Sequence, residues 1–122
     1  MNTHSGVVPF VVQYLNANNR WRFYHDDNPA AGAKGIWFQA EAGGVQINLQ
    51  GGGEIADSNW HHIAFVKVGN DHGIYKDGVQ IVYQNTANVA NIDGSLYIGS
   101  NGIPSLYLDG WMDELRIQRK NI

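Results

Sequence analysis

Residues 74–81 read Ile-Tyr-Lys-Asp-Gly-Val-Gln-Ile, and this stretch decides the fold class. Asp77-Gly78 between two β-prone runs signals a hairpin. A two-residue loop needs positive φ at both central positions, which Asp and Gly tolerate. The turn pairs Lys76 with Val79 and Ile74 with Ile81, setting two isoleucines across from each other. Just upstream, residues 60–68 alternate, with Trp60, His62, Ala64, Val66 and Val68 on one face and Ile63 and Phe65 on the other. Apolar residues on both faces predict a central strand, headed by Trp60 in the core.

The same pattern continues outward. Residues 7–15 form an apolar run whose Pro9 suits a strand start or an edge. Residues 20–25 alternate after a turn cluster at 16–19, and residues 34–39 hold Ile36, Trp37 and Phe38. Val45, Ile47 and Leu49 share one face of a strand that Gly51-Gly52-Gly53 ends, since glycine gives no packing and loses much entropy on ordering. Residues 26–33 read as a longer connection, and residues 85–93 as polar and irregular. Residues 95–100 and 111–118 supply the remaining strands. About eight strands with turn signals between them predict an all-β, two-sheet antiparallel β-sandwich, with residues 1–122 as a single domain.

Composition agrees. Val, Ile, Tyr, Phe and Trp number 35 against 15 Leu, Met, Glu and Lys, which argues against an all-helical domain. Gly, Asn, Asp, Ser and Pro number 44, suiting many tight turns. With 8 basic and 11 acidic residues there is no basic stripe for a phosphate backbone, so nucleic acid is not an expected partner. The absence of cysteine excludes disulfides and cysteine-held metals. No apolar stretch is long enough for a membrane helix, and no signal peptide is visible, residues 1–6 reading as a loop.

Four segments occur in order: Trp60-His61-His62-Ile63-Ala64; Tyr75-Lys76-Asp77-Gly78; Leu96-Tyr97-Ile98-Gly99-Ser100; and residues 109–117, Asp-Gly-Trp-Met-Asp-Glu-Leu-Arg-Ile. Together they resemble the laminin G-like branch of the concanavalin A-like lectin/glucanase superfamily, over about residues 36–119. The resemblance implies a jelly-roll sandwich and a non-enzymatic binding module for glycans. The alternative it implies is a structural or adhesion module, part of a phage tail or cell-surface protein, with a protein interface. It further implies an extracellular, cell-surface or virion setting, with a glycan or a cell-surface or host protein as partner. Members usually carry about two more strands before the segment that residues 11–24 resemble.

Aromatic faces stack on sugar rings, and amides and carboxylates serve hydroxyls. Tyr24, Trp37, Trp111, Asn101 and Asp109 are therefore the candidate ligand-binding residues, although aromatic core and plain turn chemistry would also account for them. Laminin G-like domains often hold calcium at a rim loop, and hard oxygen donors are present at Asp26, Asp27, Asn28, Asn101 and Asp109. Strict alternation turns Asp113 inward with Leu115 and Ile117, where an acid needs donors or a cation. The resemblance makes that aspartate a structural tie with calcium sometimes nearby, so Asp26, Asp27 and Asp113 are the candidate metal ligands.

No catalytic residue is expected. The closest acid pairs, Asp26-Asp27 and Asp113-Glu114, are sequence neighbours, which point to opposite faces of a strand and cannot flank one glycosidic bond. His61 and His62 likewise diverge, and His62 is expected to pack near Trp60 with a satisfied hydrogen bond. The apolar run at residues 7–15 lies near an edge with only Pro9 to discourage pairing. That predicts a homo-oligomer, a twofold dimer through residues 7–15 or 111–117.

Overall fold

The computed structural model describes residues 6–27, 34–43, 45–86, 92–102 and 106–118. Eight strands follow one another: β1 (Val7–Asn16), β2 (Asn19–Asp26), β3 (Gly35–Ala42), β4 (Val45–Gln50), β5 (Ile63–Val68), β6 (Asp71–Lys76), β7 (Val79–Asn85) and β8 (Ser95–Ile98). They form a five-stranded sheet in the order β4-β3-β2-β1-β8 and a three-stranded sheet in the order β5-β6-β7, with every pairing antiparallel. The described residues contain no helix, and none long and apolar enough to cross a membrane. The expected two-sheet antiparallel sandwich is what forms.

The turns follow local chemistry. Asn16 Oδ1 accepts from the Asn18 backbone N–H and the Asn19 amide, each at 3.0 Å, closing the β1–β2 turn with a side chain. Asp77 and Gly78 take φ of 50° and 83°, and Lys76 pairs with Val79 as the sequence predicts. The isoleucine pairing does not hold. A bulge between Ile74 and Tyr75 sets Tyr75 opposite Gln80 and Ile74 opposite Val82, leaving Ile81 as the extra residue.

Phe10, Val11, Phe23, Ile36, Phe38, Ala40, Ile47, Leu49, Ile55 and Ile74 make the core. Phe65 of β5 reaches across and stacks on Phe38 of β3, ring centroids 3.6 Å apart and planes 6° from parallel. The chain crosses between the sheets through residues 51–62. Gly51 donates to Ile36 O at 3.0 Å, Ile55 is buried, and Glu54 Oε1 gathers His25 Nε2 and the Ile55 and Ala56 N–H groups within 2.7–2.8 Å. The sheets are unequal in width: β7 lies against β4, and β6 against β3 and β4. Leu96 and Ile98 of β8 share the inward face with Val11, opposite Gln13 and Val11 respectively, yet stay 48% and 56% exposed.

Several sequence expectations are corrected here. β5 begins at Ile63 and is an edge strand, so Trp60 precedes the ladder and is 71% exposed rather than core. Val66 and Val68 face outward, exposed. His62 is exposed too, while His61 carries the satisfied ring. Residues 111–118 form no strand, because Glu114 takes φ of 50° and breaks strict alternation. Met112 packs on the core in place of Trp111, Leu115 and Ile117. Asp113 is accordingly exposed, its Oδ1 accepting from Glu114 N at 2.8 Å. Finally, residues 7–15 are no bare edge, since β1 runs mid-sheet with β8 paired along Val11 to Tyr14. Pro9, which lacks an N–H, lies just outside that pairing.

Candidate functional site

Register sorts the five-stranded sheet into an inner and an outer face. Three cross-strand rows face outward: Tyr24–Trp37–Gln50, Val12–Arg22–Gln39–Asn48, and Tyr14–Arg20–Glu41–Gln46. Ser95 and Tyr97 of β8 extend the last two rows, opposite Tyr14 and Val12. An outward sheet face normally carries simple polar alternation. This one carries two arginines, five amides or carboxylates, and aromatics at both ends.

The expected residues Tyr24 and Trp37 are together on this face, stacked with centroids 6.0 Å apart. Tyr24 is only 4% exposed, with Val12 and Pro9 buried beside it, so its ring offers no platform to a ligand. Burial raises its pKa against the opposing pull of Arg22, whose guanidinium lies 4.7 Å above the ring. Arg22 donates to the Gln39 side-chain carbonyl, and burial lowers its own pKa. The Nε groups of Arg20 and Arg22 are buried without a hydrogen-bond partner. The other three expected residues lie after β8: Asn101 buried, Asp109 exposed, and Trp111 85% exposed. None of the five lines the cleft that this face holds.

The outer face does open into a cleft of about 610 Å³ at its β1–β8 side, lined by Tyr14, Leu15, Asp93, Gly94, Ser95 and Tyr97. Its floor is a close backbone approach. A Cβ on Gly94 would fall 2.5 Å from the Tyr14 carbonyl, so only glycine fits there. Gln13 Nε2 donates to Gly94 O at 3.0 Å, and Gln13 Oε1 accepts from Trp21 Nε1 at 2.7 Å, which fixes this approach. A Cβ on Gly102 would meet the Tyr97 ring at 2.8 Å, so the chain after β8 runs against that ring. Sequence reasoning passed over Tyr14, Ser95 and Tyr97. The alternation of Ser95-Leu96-Tyr97-Ile98 held the signal, but only the pairing of β8 with β1 shows which pair faces outward.

The expected metal ligands are not assembled. Asp27 pairs with Lys34 Nζ at 2.9 Å, Asp26 is buried at the end of β2, and Asp113 serves Glu114 N on a distant segment. Asn28 lies outside the described residues. Among the described residues no three His, Cys, Asp or Glu side chains converge as ligands.

Comparison with known proteins agrees with the topology. No curated protein and no solved structure matches the chain significantly. A family model of the laminin G type, described as the Concanavalin A-like lectin/glucanases superfamily, matches residues 2–122, nearly the whole chain. With two antiparallel sheets and that match, the chain belongs to the laminin G-like branch of the concanavalin A-like lectin/glucanase superfamily.

Proposed function

We propose that this domain is a non-catalytic glycan-binding module that receives an oligosaccharide on the outer face of the five-stranded sheet. The observation that carries the reading is the Tyr14–Tyr97 cleft, set on a face of arginines and amides. Its volume falls in the range of roughly 300–1,000 Å³ usual for ligand sites. The tyrosine rings supply flat apolar area with a polar tip, and Ser95, Asp93 and Arg20 supply acceptors and donors for hydroxyls. An extracellular or cell-surface setting suits such a role.

Hydrolysis is disfavoured by spacing. Of the outward carboxylates, Glu41 is on β3 and Asp93 borders β8, so the two are three strand spacings apart, about 14 Å. Asp26 lies six residues along β2 from Glu41's partner Arg20, about 20 Å. Glycosidase pairs sit roughly 5–9.5 Å apart.

The test is a glycan array followed by titration calorimetry, run once with calcium and once with a chelator. Binding that Tyr97→Ala and Tyr14→Ala each weaken at least about tenfold supports the reading. No binding to any glycan under either condition refutes it. The exposed inward-facing Leu96 and Ile98 favour a second reading, an adhesion module whose partner is a protein. A stable complex or dimer by light scattering, broken by Ile98→Lys, would favour that one.

A further inference from the structure

The three-stranded sheet has an outer face of its own, and its register sets nine outward positions in three rows. These are Ala64–Tyr75–Gln80, Val66–Gly73–Tyr83 and Val68–Asp71–Asn85. The central position is the one without a side chain. Glycine inside a strand weakens it and often marks a close approach by another group. Backbone strain does not call for it, since Gly73 is absent from the positive-φ residues; the side chains of Tyr75 and Gln80 that lie over it do.

Around Gly73 the neighbours bend over the gap. A Cβ there would meet Gln80 Nε2 at 2.8 Å and Tyr75 Cε2 at 3.1 Å. The result is a depression of about 180 Å³, whose lining includes Val66, Asp71, His72, Tyr75, Gln80 and Tyr83. This is below the roughly 300 Å³ at which sites for larger ligands begin, so it suits one ring rather than a chain.

The rim is organised before any ligand arrives. Tyr83 donates its hydroxyl to Asp71 Oδ1 at 2.6 Å, and Asn85 Nδ2 donates to the same oxygen at 2.7 Å. Those two bonds hold a tyrosine ring that is 60% exposed, and both fall on Oδ1, which leaves Oδ2 as an acceptor. Gln80 Nε2 donates to Tyr75 Oη at 3.3 Å, placing an amide carbonyl and a phenol on the opposite rim. A fixed aromatic face with acceptors and donors around it costs little conformational entropy on binding.

We infer that the Gly73 depression is a second sugar subsite, taking a single neutral pyranose ring whose C–H face stacks on Tyr83 and whose hydroxyls bond Asp71 and Gln80. Neutrality follows from the rim, where the Asp71 carboxylate would repel a uronic or sialic acid, while the one imidazole of the lining, His72, is only 1% exposed. The site lies on the opposite sheet from the Tyr14–Tyr97 cleft and does not depend on that cleft binding anything.

The experiment is amide-resolved NMR on the whole chain, titrating neutral methyl pyranosides one at a time, with methyl glucuronide as the charged control. Saturating shifts at Gly73, Gln80 and Tyr83 are expected with a neutral glycoside and not with the glucuronide. Tyr83→Ala removes the platform and weakens binding at least about tenfold, while Tyr97→Ala leaves it unchanged. Thermal unfolding of each variant separates a lost site from a lost fold. No shift at these three amides with any neutral glycoside, or shifts that survive Tyr83→Ala in the folded variant, overturns the inference. Shifts confined to Tyr14 and Tyr97 overturn it while leaving the function proposed for the other face intact.

Discussion

His61 Nδ1 lies 2.8 Å from Asp77 Oδ2, so the segment leading into β5 is tied to the turn between β6 and β7. Asp57 grips the other ring nitrogen, at 2.9 and 3.0 Å, and Asp77 Oδ1 also accepts from His62 N. Lys76 is the remaining charge beside Asp77.

This arrangement predicts a pH window. The bonds to Asp77 and then Asp57 raise the His61 pKa, so its contribution is full below the unfolded value of about 6.5 and is lost as pH rises through the raised folded value. Asp77 and Asp57 are held below their ordinary range, chiefly by His61 and by the Asn59 N–H respectively. Their contribution is present above about pH 3.9 and is lost as pH falls. The tie is therefore strongest in mildly acidic solution. Melting temperatures measured from acid to alkaline pH should fall above neutrality in the parent. In His61→Ala the alkaline fall should flatten. High salt should shrink the difference, because both aspartates are exposed.

Phe38→Ala should cost about 3–5 kcal/mol in urea unfolding. It removes the ring on which Phe65 stacks at 3.6 Å and beside which Trp21 lies at 6.1 Å, so it empties the seam between the sheets.

Gly35→Ala should be among the most damaging single-methyl changes. Gly35 has φ of 130°, and a Cβ would fall 2.6 Å from Gly52 backbone atoms, which have no rotamer to give way. About 1–3 kcal/mol of backbone strain adds to that clash. Gly43→Ala, at φ of 56° with open space around it, should lose only about 1–2 kcal/mol. Denaturant midpoints compare the two directly.

Trp60→Ala should change stability by no more than about 0.5 kcal/mol, since the side chain lies before the ladder and faces water. A loss of several kcal/mol would mean that Trp60 is packed after all.

The legible parts of this fold were those set by neighbours in sequence. Asp77-Gly78 specifies its own turn, and Val45, Ile47 and Leu49 announce their face by alternation, which burial of Ile47 and Leu49 confirms. Trp60 misled because alternation does not reveal where pairing begins. The Ile74–Ile81 pairing failed by one residue because a bulge has no signature in that stretch. Asp113 was turned the wrong way by a single left-handed residue, Glu114. The candidate sites depended on more distant partners still. Tyr14 meets Tyr97 only through β1–β8 pairing, and Gly73 becomes a depression only when β5 and β7 flank it.

The partnership of Val11 with Ile98 joins the first described strand of the chain to the last. A chain emerging from the ribosome exposes one side of β1 until β8 has been made. Each hairpin can close early, but the five-stranded sheet waits on a contact spanning most of the chain. Such contacts carry a large loop-closure cost ahead of any gain, and folding on the order of milliseconds to seconds follows. During that interval Val7–Asn16 is an open template for a neighbouring nascent chain, so dilution during refolding should raise the yield of folded protein.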